Sequence, residues 1–248
     1  KRRDLNIAII GVPKTIDNDI PFVRRSFGFE TAVAEGASAI NAAEVEAKGM
    51  PNGIGLVKLM GRNAGFIAAT ATIASGNVNF CLIPEVPFKI HGPAGLLEQL
   101  EKRMHDRHHA VIVIAEGAGQ EYFDADQLST DASGNKKLGD IGPLIKQHIT
   151  DYFDAKEIKV ALKYIDPSYL IRACSPNATD QLYADRLARN AVHAAMAGKT
   201  GMLIGHWQGQ MTHVPMSALT GRRSNVKRDG ELWLSVRENT GQPDNIGC

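Results

Sequence analysis

The sequence predicts an α/β fold, with mostly parallel sheets buried between helices. Three observations lead there. Several short runs are apolar at nearly every position, as strands covered on both faces must be. Longer stretches between them repeat apolar residues at threes and fours, the period of a helix. The two kinds of segment alternate along the chain, and strand–helix–strand repetition brings successive strands into one parallel sheet.

In chain order, strands are expected over 5–11 (LNIAIIG), 53–59 (GIGLVKL), 79–84 (NFCLIP), 110–115 (AVIVIA), 158–163 (IKVALK) and 200–205 (TGMLIG). A helix is expected over 27–48, where Phe27, Phe29, Ala32, Val33, Ala37, Ile40 and Ala43 recur on one face. A second, over 63–75, is alanine-rich and stops at Gly76, a standard helix terminator. A third over 94–105 carries Leu96, Leu97 and Leu100, and a fourth over 179–197 stops at Gly198. The polar segment DADQLSTDASGNKKLGD (124–140) reads as an exposed turn or hairpin. After about residue 206 the alternation fades, and TGRRSNVKRDGE reads as a basic, solvated loop.

Bulk composition narrows the function classes. The 248 residues suffice for one large α/β domain or two lobes. With 28 basic and 27 acidic side chains the formal charge is +1, so no overall field favours nucleic acid or a membrane surface. No run of about 18 apolar residues spans a bilayer, and no signal peptide opens the chain. Cys81, Cys174 and Cys248 are odd in number and far apart, which points to a reducing, cytoplasmic setting and no disulfide scaffold. Cys81, within FCLIPEV, reads as a small apolar strand residue. The abrupt opening KRRDLNIAII reads as part of a longer protein.

In open parallel sheets, ligands bind beyond the carboxyl ends of the strands. Charge gathers at those ends here. Lys14, Thr15, Asp17, Asn18 and Asp19 follow the first strand, and Arg62 in MGRNAG follows the second. Glu85, Glu116, Asp166, Tyr169 and Arg172 follow later ones. Such a ring suits an anionic, hydroxyl-rich ligand held by arginine and lysine. Two carboxylates at i and i+2 can divide the work, one accepting a hydroxyl proton and the other facing a Mg²⁺ that bridges phosphates. An Asx-turn after the strand would also use Asp and Asn there. Gly61 and Gly65 could serve a tight strand-to-helix turn alone, or leave helix N–H groups for an anion. Glu116 could cap a strand end, and Tyr169 and Arg172 could pack an interface. It is the recurrence at successive strand ends that favours a binding site.

Together, GVPKTIDNDI, GIGLVKLMGRNAGFIA, CLIPEVPF, IVIAEGAGQ and KYIDPSYLIRACSPNATD resemble 6-phosphofructokinases, and most closely their plant-type ATP-dependent branch. The resemblance covers nearly all of 5–205, with the motifs in the family's order. It implies two three-layer α/β/α lobes with mostly parallel sheets. The donor lobe, incomplete here, would comprise 1–28 and 172–225, the fructose 6-phosphate lobe 29–171, and 226–248 would be a C-terminal tail. By the same resemblance, Asp17 is the general base for the sugar's 1-hydroxyl and Thr15 contacts the transferred phosphoryl group. Asp19 is the second carboxylate, associated with Mg²⁺. Met60, Gly61 and Arg62 grip fructose 6-phosphate, with Arg62 also meeting developing phosphoryl charge. Glu116 bonds sugar hydroxyls, and Tyr169 and Arg172 meet the 6-phosphate. Lys163 falls where an arginine reaches a neighbouring subunit, in a homotetramer or dimer.

Some positions depart from the bacterial pattern. Gly53 stands where a second intersubunit arginine is common, and Tyr169 where a histidine is. Lys14 replaces a glycine and is shared by pyrophosphate-using enzymes, so it does not decide between ATP and pyrophosphate. The GGDG or GGDD loop that decides is expected upstream of this chain. Three readings follow: an ATP-dependent kinase, a pyrophosphate-dependent enzyme, and a non-catalytic sugar-phosphate-binding subunit.

Overall fold

A computed structural model describes residues 7–124 and 137–247. The chain forms two compact units, Lys1–Thr31 with Ser175–Ser224, and Ala32–Cys174 with Asn225–Cys248.

The larger unit is built on a four-stranded parallel sheet. Its strands are β2 (Gly53–Leu59), β3 (Phe80–Leu82), β4 (His109–Ala115) and β5 (Ala161–Ile165), in the order β3-β4-β2-β5. One face carries Ile54, Leu56, Phe80, Leu82, Ile112 and Ile114, all buried. Helices α3 (Leu96–Arg107) and α4 (Ile141–Ala155) cover it with Leu96, Leu97, Leu100 and Met104, and with Ile141, Ile145, Ile149 and Phe153. Each such side chain contributes about 1.5–3 kcal/mol by leaving water.

On the opposite face lie α1 (Phe29–Gly49) and α2 (Phe66–Ser75), with α8 (Glu231–Thr240) packed on α2. Close approach of α1 requires glycine in β2. A Cβ on Gly53 would stand 2.0 Å from the Ala47 carbonyl oxygen, and one on Gly55 3.0 Å from the Ala43 Cβ. That accounts for the departure at Gly53, since a side chain there would collide with the helix.

Residues 226–248, expected as a tail, belong to this unit. Trp233 and Val236 of α8 are buried. Beyond the helix, Gln242 reaches the edge strand β3. Its Oε1 accepts the Cys81 N–H at 2.7 Å and its Nε2 donates to the Cys81 carbonyl at 3.2 Å. Burial pushes the Cys81 thiol up to about 12.

The smaller unit holds a three-stranded sheet. Strand β1 (Ile10–Gly11) runs parallel to β6 (Met202–Trp207), which pairs antiparallel with β7 (Gln210–Pro215). Helix α6 (Ala178–Met196) packs Tyr183, Leu187 and Ala194 against Ile204 and Ile10. Its N-cap is Asn177, whose side chain accepts the Asp180 N–H at 2.9 Å.

Several elements differ from expectation. The fifth strand starts at Ala161, because β2 pairs with Ala161–Ile165, while Ile158 and Val160 enter the core from outside the ladder. Helix α4 was not foreseen: Gly142 and Pro143 resemble breakers but sit in its first turn, where the missing N–H costs nothing. Strand β7 was also unforeseen. It returns through Gln208 and Gly209, both at positive φ, the two-residue hairpin geometry. The short helices α5 (Ser168–Ala173) and α7 (Met216–Leu219) complete the chain. The expected turn over 124–140 lies largely outside the described residues. Arg222, Arg223, Lys227 and Arg228 form an exposed loop, as their composition requires.

Candidate functional site

Strand β2 ends at Leu59, and the next three residues turn sharply. Met60 and Gly61 are buried, with Gly61 at φ 135° and Arg62 at φ 40°. Left-handed backbone at an arginine is unfavourable, so something must hold it. The Arg62 N–H donates to Glu116 Oε1 at 2.8 Å. Glu116 is fixed in turn by its own N–H, which donates to the Leu59 carbonyl at 2.8 Å. Gly117 lets the two segments meet, since a Cβ there would lie 1.6 Å from the Arg62 carbonyl oxygen. Glu116 therefore braces the Arg62 turn with one carboxylate oxygen.

Three residues on, Gly65 opens α2 without a side-chain cap of its own. Glu85 supplies one from the β3 side. Its oxygens lie 3.0 and 3.1 Å from the Gly65 nitrogen, and Oε1 also accepts the Val226 N–H at 2.9 Å. A carboxylate at a helix N-terminus meets unpaired amides and a favourable dipole.

The third group in this unit surrounds Lys58, the last inward residue of β2 on the α4 face. Its Nζ lies 2.7 Å from Asp140 Oδ1, just ahead of α4, and 2.9 Å from Asp166 Oδ2, just after β5. The Asp166 Oδ1 accepts the Ser168 N–H at 3.1 Å and a short bond from the Ser168 hydroxyl. Burial pulls the Lys58 pKa down, but the Asp140 and Asp166 carboxylates outweigh it and leave the ammonium harder to deprotonate than usual. Ser168 begins α5, which carries Tyr169 and Arg172. Tyr169 is 87% exposed, and Arg172 is exposed too. Lys163 sits mid-strand in β5 opposite Gly55, with its Nζ 3.8 Å from Glu46 on α1.

In the smaller unit, the loop after β1 has its own braces. Lys14 is exposed and bridges to Phe27. The Thr15 hydroxyl accepts the Asp17 N–H at 3.2 Å. Asn18, at φ 57°, turns its side chain to Ser26: Oδ1 accepts the Ser26 N–H at 2.8 Å and the Ser26 hydroxyl at 3.3 Å. The amide thus spans eight residues instead of capping its own turn. The Asp19 carbonyl accepts the Ser224 N–H at 2.7 Å. Asp17 and Asp19, which flank Asn18, are both partly exposed.

A pair of carboxylates is a hard-oxygen donor set suited to Mg²⁺. Among the described residues, no group of three or more His, Cys, Asp or Glu could cage a metal.

The pattern that defines the family described as Phosphofructokinase matches residues 1–195. The chain belongs to the phosphofructokinase family. It is 53% identical to an ATP-dependent 6-phosphofructokinase of Borreliella burgdorferi over 98% of its length, covering 56% of that relative. It is 50% identical to ATP-dependent 6-phosphofructokinase 7 of Arabidopsis thaliana over all of its length, covering 51% of it. The chain therefore spans about half the length of the relatives it matches. A pyrophosphate-dependent phosphofructokinase from Marinobacter aquaeolei superposes with a TM-score of 0.72 at 24% identity, over 95% of this chain and 59% of that one. That likeness is one of fold.

Two residues of this phosphofructokinase chain, each holding elements within its own unit, went unread in the sequence. Asp180, fully buried, accepts the Gly28 N–H at 3.1 Å, the Thr31 N–H at 2.8 Å and the Thr31 hydroxyl at 2.6 Å. It thus caps α1, and Gly28 packs against Ile16, between Thr15 and Asp17. The signal was Asn177 followed three residues later by an acid, which reads as an ordinary helix start. Lys58 is the other. A lysine inside a strand that is otherwise continuously apolar needs anions within reach, and Asp140 and Asp166 supply them.

Proposed function

We propose that the protein containing this chain transfers a phosphoryl group from ATP to the 1-hydroxyl of fructose 6-phosphate, giving fructose 1,6-bisphosphate as a step of glycolysis. The supporting observation is identity near 50% across the whole chain to relatives from bacteria and plants, each named an ATP-dependent 6-phosphofructokinase. The pyrophosphate reading draws on solved structures at 20–24% identity, which speak to fold alone.

The chemistry asks for placement, charge neutralisation and a base. Asp17 takes the proton from the 1-hydroxyl as its oxygen attacks the γ-phosphorus, and the bond to the leaving ADP oxygen breaks. Thr15 donates to a phosphoryl oxygen, and Lys14 neutralises charge on the donor. Asp19 is the carboxylate for Mg²⁺, which when bound neutralises charge on the phosphate oxygens. Met60, Gly61 and Arg62 hold the sugar phosphate, and Arg62 also offsets charge on the transferring group. Glu116 keeps one oxygen on Arg62 and offers the other to sugar hydroxyls. Tyr169 and Arg172 meet the 6-phosphate, where a planar guanidinium can bond two oxygens at once. Lys163 serves a neighbouring subunit of a homo-oligomer. The smaller unit is the donor lobe's share of this chain and the larger unit the sugar lobe. The compartment we propose is the cytoplasm, although two Arabidopsis relatives are named chloroplastic. Among the described residues no helix is long and apolar enough to cross a membrane.

The test is an assay of the full-length protein with fructose 6-phosphate and each donor in turn. ATP should support turnover and pyrophosphate should not. Asp17→Asn should lower kcat by about a hundred- to ten-thousand-fold, with the KM for sugar phosphate little changed. Near-normal turnover in that variant would remove Asp17 from the role.

A further inference from the structure

Helix α5 is held weakly by packing. It has six residues, Ser168–Ala173, too few to be stable alone. Ile171 is its one buried side chain, while Tyr169 and Leu170 are 87% and 72% exposed. Its first turn is anchored by Asp166, which holds both the N–H and the hydroxyl of Ser168. Asp166 is itself held by Lys58, whose side chain is only 12% exposed. Lys58 lies two residues before Met60, on the strand that delivers Arg62. One ammonium group therefore joins the strand leading into the Arg62 turn to the start of the helix carrying Tyr169 and Arg172.

We infer that Lys58 is a positioning residue for sugar-phosphate binding, acting through Asp166 and Ser168 on Arg172. This rests on the function proposed above. Without the ammonium, Asp140 and Asp166 would be left as two carboxylates with their shared cation gone, and like charges separate. Asp166 would then leave Ser168, and Arg172 would lose its fixed approach to a phosphate. Substrate binding falls, but the phosphoryl transfer step does not use Lys58.

The experiment is steady-state kinetics of the full-length enzyme carrying Lys58→Met, which keeps the length and removes the charge. The KM for fructose 6-phosphate should rise about tenfold, with kcat and the KM for ATP within about twofold. In an Arg172→Ala background, the same substitution should add less than about twofold, because its effect runs through Arg172. An unchanged sugar KM, an equal fall in kcat, or full additivity with Arg172→Ala would overturn the inference. Should Lys58→Met fail to fold, Ser168→Ala takes its place, with a smaller rise in sugar KM expected and an unchanged value overturning it. A wild-type protein that neither binds nor phosphorylates fructose 6-phosphate overturns the function and this inference together. An active wild type beside an unaffected variant overturns the inference alone.

Discussion

The loop after β1 and the loop after β2 face the same backbone problem and meet it in different ways. Each has a non-glycine residue in the left-handed region, Asn18 at φ 57° and Arg62 at φ 40°. Asparagine tolerates that region and has a short amide, so Asn18 secures its own loop by bonding Ser26. Arginine has no such facility. The Arg62 backbone is secured from elsewhere, by Glu116 and by the space that Gly117 leaves. The left-handed residue of the first loop is therefore braced by its own side chain, and that of the second by the segment that follows β4. Changes at Glu116 or Gly117 should disturb the second loop and spare the first.

The largest expected effect tests that difference directly. Gly117→Ala would put a methyl group on the Arg62 carbonyl, costing about 3 kcal/mol of stability, seen as a lower urea midpoint. Sugar saturation should be lost with it. A variant of normal stability and normal sugar response would show that the Arg62 turn can relax. Next comes Asn18→Ala, expected to cost about 1–3 kcal/mol by removing the Ser26 bonds and placing alanine at positive φ. Asn18→Gly should recover the backbone part only. If alanine and glycine are equally harmful, the φ argument is wrong and the amide bonds carry the whole effect.

A smaller effect concerns acid. Burial alone would raise the Asp166 pKa, but bonds from Ser168 and Lys58 outweigh it and hold the group below its ordinary value of 3.8. A carboxyl whose folded pKa is depressed adds stability above its unfolded pKa and loses it as pH falls through the folded one. Wild type should therefore destabilise more steeply below about pH 4 than Asp166→Asn, followed by thermal melts across pH. Parallel slopes would mean that the group gains nothing from its partners. The smallest effect belongs to Lys163. Its exposed contact with Glu46 at 3.8 Å is worth under about 1 kcal/mol, so Lys163→Met should leave the melting temperature nearly unchanged. A large fall would make that pair structural.

Much of the fold was legible because burial writes itself into composition. The continuous apolar runs at 53–59 and 110–115 match β2 and β4 almost to the residue. The same signal misplaced β5, since Ile158 and Val160 are apolar for packing and lie outside the ladder. The candidate site was legible as residue types at strand ends, but its partnerships were not. Glu116 read either as a carboxylate for a ligand or as a strand-end cap, and Glu85 as a carboxylate at a strand end; both accept backbone N–H bonds. An amide partner is set by where two chain segments meet, and no local pattern records it. Asp180 and Lys58 were missed for the same reason, as their partners lie 149 to 152 and 82 residues away in sequence for Asp180 and for Lys58's bond to Asp140, respectively.

Gln242 has a consequence for solubility. Strand β3 is the outer rung of its sheet, and an outer rung with unpaired amide and carbonyl groups invites another chain to dock and extend the array. One glutamine side chain imitates a neighbouring strand at Cys81 and occupies the most apolar stretch of that border. Its removal would leave a sticky margin, and the penalty would show as self-association on concentration well before any loss of fold.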